Sequence, residues 1–159
     1  MRLSFYLLGK VKEPFLKEAY QEYLKRLSKY GQVSLNFLEE APLGENPSEE
    51  SIKQGLDEEA LRALNKVRKD DCLVLLDLRG KELTSEEFAA FLKDREIKGT
   101  SSFVFLVGSS YGLSDLLRKR ADLCLSFGKL TTTHPLALLL ALEQVYRAEK
   151  INSGETYHK

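Results

Sequence analysis

The chain has 159 residues, an apolar share of 43%, and 24 basic against 24 acidic side chains that cancel to a formal zero. That length makes residues 1–159 one domain with a single core, the 30% of charged residues excludes a disulfide scaffold and a membrane-embedded chain, and the composition also excludes a collagen. With no run of 18 uncharged apolar residues and no cleavable leader pattern after Met1, a cytoplasmic protein with no membrane partner is expected.

In chain order, Leu3–Leu8 reads as a strand that ends at Gly9. Pro14 then opens a helix whose apolar face carries Phe15, Leu16, Ala19, Tyr20, Tyr23, Leu24 and Leu27. Residues 33–38 alternate as a half-buried strand, and 41–47 form the one loop of length. Ser48 or Ser51 caps an amphipathic helix to about Lys69, with Ile52, Leu56, Ala60, Leu61, Leu64 and Val67 inward. Cys72–Leu76 is continuously apolar, as in a strand covered on both faces. Thr84 with Glu87 makes a capping box for a helix to about Ile97. A second apolar strand, 102–107, is followed by a short helix from Ser114 to Ala121 and a strand over 123–127. A long helix from His134 to about Ile151 closes the order, with leucines nearly all round it. Strands alternating with helices predict an α/β fold with a mostly parallel sheet flanked by helices. The leucine-rich last helix must be covered on all sides, which points to a homodimer. Cys72 and Cys124 lie inside apolar runs and read as reduced core thiols, and no metal is expected.

The neutral total conceals a strong asymmetry. Residues 1–30 sum to +4, residues 39–60 to −7 and residues 118–159 to +3. Such fields steer partners whatever the net charge, so neutrality does not exclude an RNA partner.

Ligand sites in open parallel sheets lie at the carboxyl ends of strands. Three loops qualify: Asp77–Lys81, Gly108–Gly112 and Gly128–Thr133. Gly108-Ser109-Ser110-Tyr111-Gly112 also fits the G-x-S-x-G pattern of a hydrolase nucleophile, with Ser110, Asp122 and His134 as its triad. Dinucleotide and P-loop fingerprints are absent.

Several ordered motifs are more specific than these patterns. They are Phe103–Gly108, Tyr111–Ser114, Leu125-Ser126 with Lys129–Thr131, His134, Leu142–Ala148 and the terminal Tyr157-His158-Lys159. Together they resemble the ribosomal large-subunit methyltransferase H family along nearly the whole chain. The resemblance implies a SPOUT-type α/β knot, in which a C-terminal trefoil knot forms and homodimers do the work. It also implies S-adenosyl-L-methionine as cofactor and methylation of N3 of a pseudouridine in 23S rRNA of the assembled ribosome. By position, the cofactor would meet Leu76, Gly108, Phe127, Gly128, Lys129, Leu130, Thr131 and Thr132. His158, Tyr157, Arg147 and His134 are the catalytic candidates, with the tail reaching a partner's cofactor pocket and His158 as the base for the N3 proton.

Four positions depart from the family pattern: Ser109 where a second glycine is common, Gly128 for serine or alanine, Thr133 for proline and Leu138 for arginine. The last removes a cation expected near cofactor and substrate, whose role would pass to Arg147 or Lys129. A non-catalytic RNA-binding or ribosome-assembly module is the other reading that the basic ends allow.

Overall fold

The computed structural model describes residues 1–159. Its five strands are β1 (Arg2–Leu8), β2 (Gln32–Leu38), β3 (Cys72–Glu82), β4 (Ser102–Val107) and β5 (Leu123–Ser126). They form one sheet in the order β2-β1-β4-β3-β5, and every pairing is parallel. The helices are α1 (Pro14–Leu27), α2 (Glu49–Leu64), α3 (Ser85–Ile97), α4 (Asp115–Arg120) and α5 (His134–Asn152). None is long and apolar enough to cross a membrane.

The alternation of side chains along a strand splits the core into two layers. Leu3, Phe5 and Leu7 of β1, Val74 of β3, Phe103 and Phe105 of β4 and Leu125 of β5 face α1, α3 and α5. Leu73 and Leu75 of β3 with Val104 and Leu106 of β4 face α2 and α4 on the other side. The continuous apolar runs of β3 and β4 are thus needed on both faces, as the sequence predicts.

Local signals set most helix ends. Ser48 accepts from Ser51 N–H at 3.1 Å, and Thr84 and Glu87 complete the capping box expected for α3. The α2 helix stops at Leu64 rather than near Lys69, because the chain tightens into turns there: Lys66 N–H bonds Ala63 O and Val67 N–H bonds Leu64 O. Its inward face is Gly55, Glu59, Ala60 and Ala63, so Leu61 points out to solvent. Phe15 of α1, expected inside, is also exposed.

The leucine-rich helix is covered mainly within its own chain. Leu138, Leu142 and Val145 are buried against the sheet between α1 and α3, and Tyr20 of α1 donates its hydroxyl to Pro135 O at 2.7 Å. Leu136 and Leu140 keep an exposed stripe. Leu138, where the family pattern suggests a cation, is fully buried among apolar side chains. In this chain the position belongs to the core.

One irregularity shapes the carboxyl edge of the sheet. β3 pairs with β5 through Val74–Leu76, leaves the sheet over Asp77–Gly80, and pairs again through Lys81 and Glu82. Leu125 is therefore opposite both Leu76 and Lys81. Gly80 crosses so close to β5 that a Cβ there would stand 2.5 Å from Cys124 O. Only glycine fits that crossing.

Glu149 of α5 is buried at the opposite edge, and its Oε1 has no protein hydrogen-bond partner. Burial, with Glu96 nearby, pushes its carboxyl up to about 7. Between its ordinary value of 4.5 and about 7, the unfolded chain has lost this proton while the folded protein keeps it. The group therefore makes stability fall as pH rises through that window, and the whole loss is felt above it. Glu149→Gln removes this share of the decline and stabilises the protein at pH 8 by about 1–3 kcal/mol. Urea titrations at pH 5 and pH 8 check this, and identical pH slopes for both proteins would refute it.

Candidate functional site

Because β4, β3 and β5 are parallel neighbours, their carboxyl ends open at one edge. Leu76 sits opposite Val107 on one side and Leu125 on the other. Gly108 therefore follows one neighbour of Leu76, and Phe127 follows the other by two residues. A cleft of about 240 Å³ opens here, walled by Glu82, Leu83, Thr84, Phe88, Leu125, Ser126, Phe127, Gly128 and Gln144. Leu76 and Phe127 line a smaller apolar pocket with Phe88 and Phe105 just beneath.

Of the expected cofactor residues, Phe127 and Gly128 line the cleft and Leu76 lies under it, while Gly108 starts the neighbouring loop. Lys129, Leu130, Thr131 and Thr132 continue outward as an exposed segment, with Leu130 90% exposed. Gly128 has φ of 122°, and its N–H donates to Ser126 Oγ at 3.1 Å. A serine or alanine would be strained in that turn, which gives this departure from the family pattern a local cause.

The arch of β3, which leads to the cleft-lining Glu82, is pinned by an ion pair between the buried Asp77 and the half-buried Arg118. Asp77 accepts from Arg118 Nε at 2.7 Å and from Arg79 N–H at 3.1 Å. Burial alone would raise the Asp77 carboxyl, but these hydrogen bonds outweigh it and hold the group below its ordinary value. On the same α2 and α4 face, Glu59 of α2 accepts from Ser109 Oγ at 2.9 Å and from Ala41 N–H at 2.8 Å. Asp57, half a turn earlier, accepts from Ser114 Oγ at 2.6 Å.

Three catalytic candidates form one cluster. Arg147 bonds Glu143 at 2.7 Å, lies over the Tyr157 ring at 4.7 Å, and donates to His158 Nδ1 at 3.1 Å. A guanidinium only donates, so His158 carries its proton on Nε2 and donates it to Glu86 Oε1 at 2.8 Å. Tyr157 donates to Glu143 at 3.1 Å, and burial first, then that contact, pushes its hydroxyl up to about 12. Glu155 fastens the tail, accepting from Lys150 and Tyr30 at 2.8 Å and from Lys29 at 2.7 Å. Hydrogen bonds from Lys150, Lys29 and Tyr30, in that order, hold its carboxyl down to about 2. The tail lies on α5 and α3 of its own chain, through Glu143, one residue from the cleft-lining Gln144, and Glu86, two residues from the cleft-lining Thr84.

His134 stands apart at the start of α5. Its Nε2 is buried without a partner beside Gly9, where Glu40 also converges. Thr133 precedes it in extended conformation but makes no side-chain cap. The hydrolase triad does not assemble. Asp122 precedes β5, at the amino edge of the sheet, where it accepts from Leu73 N–H at 2.8 Å. Ser110 follows β4, at the carboxyl edge.

Sequence reasoning missed Glu59, Glu82, Glu86 and Gln144. Each sits on a charged or mixed helix face or strand end, where pattern alone cannot separate a cleft wall from a solvated surface.

The family model described as "Predicted SPOUT methyltransferase" matches residues 1–158. A protein named ribosomal RNA large subunit methyltransferase H from Carboxydothermus hydrogenoformans is 42% identical over 159 residues, covering all of both chains. One of the same name from Bacillus thuringiensis is 43% identical over the same length and coverage. A solved probable methylase from Haemophilus influenzae Rd KW20 has a TM-score of 0.52 at 14% identity, covering 99% of this chain and 70% of that one. That likeness supports the fold. With full-length matches to both the family model and these relatives, the chain belongs to the SPOUT methyltransferase family, in its ribosomal RNA large subunit methyltransferase H branch.

Proposed function

We propose that this protein is an S-adenosyl-L-methionine-dependent methyltransferase acting on N3 of a pseudouridine in 23S rRNA of the assembled ribosome, in the cytoplasm. The observation that carries the reading is the convergence of Leu76, Gly108 and Phe127-Gly128 at the ends of three adjacent strands, beside a cleft of about 240 Å³. The lining suits this cofactor: Phe88, Phe127 and Leu83 offer apolar walls to adenine, and Glu82 supplies a carboxylate for a cationic sulfonium or ammonium. Leu76, Gly108 and the segment Phe127–Thr132 would hold it. When bound, it supplies the methyl group.

Replacing the N3 proton by methyl releases one proton, which the protein must accept. His158 takes it at Nδ1 once Arg147 lets go of that atom, and Glu86 at Nε2 then faces an imidazolium. The freed Arg147 stabilises the N3 anion as it forms, while Tyr157 holds the cluster to α5 through Glu143. His134 shapes the neighbouring edge from beneath Gly9.

The same reading takes residues 1–159 as one α/β-knot unit with a C-terminal trefoil knot, acting as a homodimer. The double pairing of β3 with β5 and the return of α5 between α1 and α3 support the knot. The exposed stripe of Leu136 and Leu140, with Phe15 and Leu130 also exposed, supports the dimer. That stripe continues one turn on to Glu143 and Arg147, so a partner seated there meets the tail cluster.

Three outcomes test this reading. Deleting Tyr157–Lys159 abolishes rRNA methylation but leaves cofactor affinity within about threefold, because the tail acts on the proton and not on the cleft. Intact methylation would remove the tail from the mechanism. In solution the protein runs at about twice its 18.1 kDa chain mass, and a monomer at micromolar concentration would contradict the dimer. Ribosome affinity falls only shallowly with salt, with a log-log slope well short of about −5, since the basic ends are offset by acids. A steeper slope in filter binding would show phosphate attraction to be dominant.

A further inference from the structure

Glu59 is the deepest carboxylate near the site, with 3% of its surface exposed. Burying a carboxylate is costly unless its oxygens are hydrogen-bonded, and both oxygens of Glu59 are. One accepts from the Ser109 hydroxyl at 2.9 Å and the other from Ala41 N–H at 2.8 Å. Two residues earlier on α2, Asp57 accepts from Ser114 Oγ at 2.6 Å. One stretch of a single helix thus grips both ends of the loop that joins β4 to α4. Ser109 itself is buried, and its carbonyl accepts from Gly112 N–H at 2.9 Å to close the turn. Burial raises the Glu59 carboxyl, and the bonds from Ala41 and Ser109 partly offset that.

We propose that Glu59 is a positioning residue, which acts through Ser109 to hold the Gly108–Gly112 loop in the shape that receives the cofactor. The inference rests on the cofactor reading given above. It assigns a purpose to Ser109, the departure from the family's usual second glycine. A glycine has no hydroxyl to offer, so in this chain the serine gives α2 a hold on the loop. A loop fixed before binding loses less entropy when the ligand arrives, so loosening it costs affinity and not turnover.

The test uses the full chain and S-adenosylhomocysteine as the calorimetric probe. Ser109→Ala and Glu59→Ala each weaken its binding by about tenfold, and the double variant is weakened far less than the product of the two. Glu59→Gln stays within about threefold of wild type, because a carboxamide accepts from Ala41 N–H and donates to Ser109 Oγ. In steady state, KM for S-adenosylmethionine rises in Ser109→Ala while kcat stays within about twofold, a split that general destabilisation would not give. Should Glu59→Ala fail to fold, Ser109→Ala carries the test, since it leaves the carboxylate bound to Ala41. Unchanged affinity in Ser109→Ala, or additive losses in the double variant, would overturn the positioning role alone. If the wild type itself does not bind S-adenosylhomocysteine, the cofactor reading fails and this inference falls with it.

Discussion

The carboxyl edge of the sheet depends on β3 pairing with β5 twice. A strand that pairs, leaves and pairs again must lift its intervening residues out of the plane, and here Asp77–Gly80 form the arch. Two features keep it from collapsing. The Asp77–Arg118 ion pair ties the arch to α4, and the bare Cα of Gly80 lets it cross the Cys124 carbonyl. The cleft opens where Glu82, Leu83 and Thr84 come out of the second pairing against Leu125–Gly128. Losing Arg118 would leave the buried Asp77 carboxylate without its counter-charge in the arch that leads to the cleft.

Charge follows the same architecture. The acidic stretch at residues 39–60 is not spent only on solvation, because the half-buried Asp57 and the buried Glu59 hold serine hydroxyls at each end of one loop. At the other end of the chain, the single carboxylate of Glu155 gathers Lys29, Lys150 and Tyr30. The formal neutrality of the chain is therefore a sum of local pairings as well as of opposed faces. Basic side chains engaged in this way have less to offer an RNA backbone, which fits recognition by shape and by a few placed cations.

The tail is fastened to its own chain. Chain ends usually fray, yet Tyr157 stacks edge-on against Tyr146 at 5.0 Å and His158 bridges Arg147 and Glu86. In this arrangement the only lone pair of the imidazole is occupied by Arg147. A base role for His158 thus requires the cluster to rearrange, and the resting contacts hold the two groups within reach of each other.

Strand and helix order, the double-sided burial of β3 and β4, the caps at Ser48 and Thr84 and the three strand-end loops all follow from residue periodicity and capping chemistry, which are local. The end of α2 and its inward face do not, because turns and packing against α4 decide whether Leu61 or Ala63 faces the core. Which strands are neighbours is likewise tertiary, and that alone sets Leu76, Gly108 and Phe127 side by side while separating Ser110 from Asp122. Glu59 and Glu86 are indistinguishable from solvated acids until the fold brings a buried hydroxyl and an imidazole to them. Sequence by itself determined the elements and the family, because both are written in short-range order along the chain. The tertiary structure decided the partners of each polar group, because a hydrogen bond across 50 or 72 residues leaves no periodic trace.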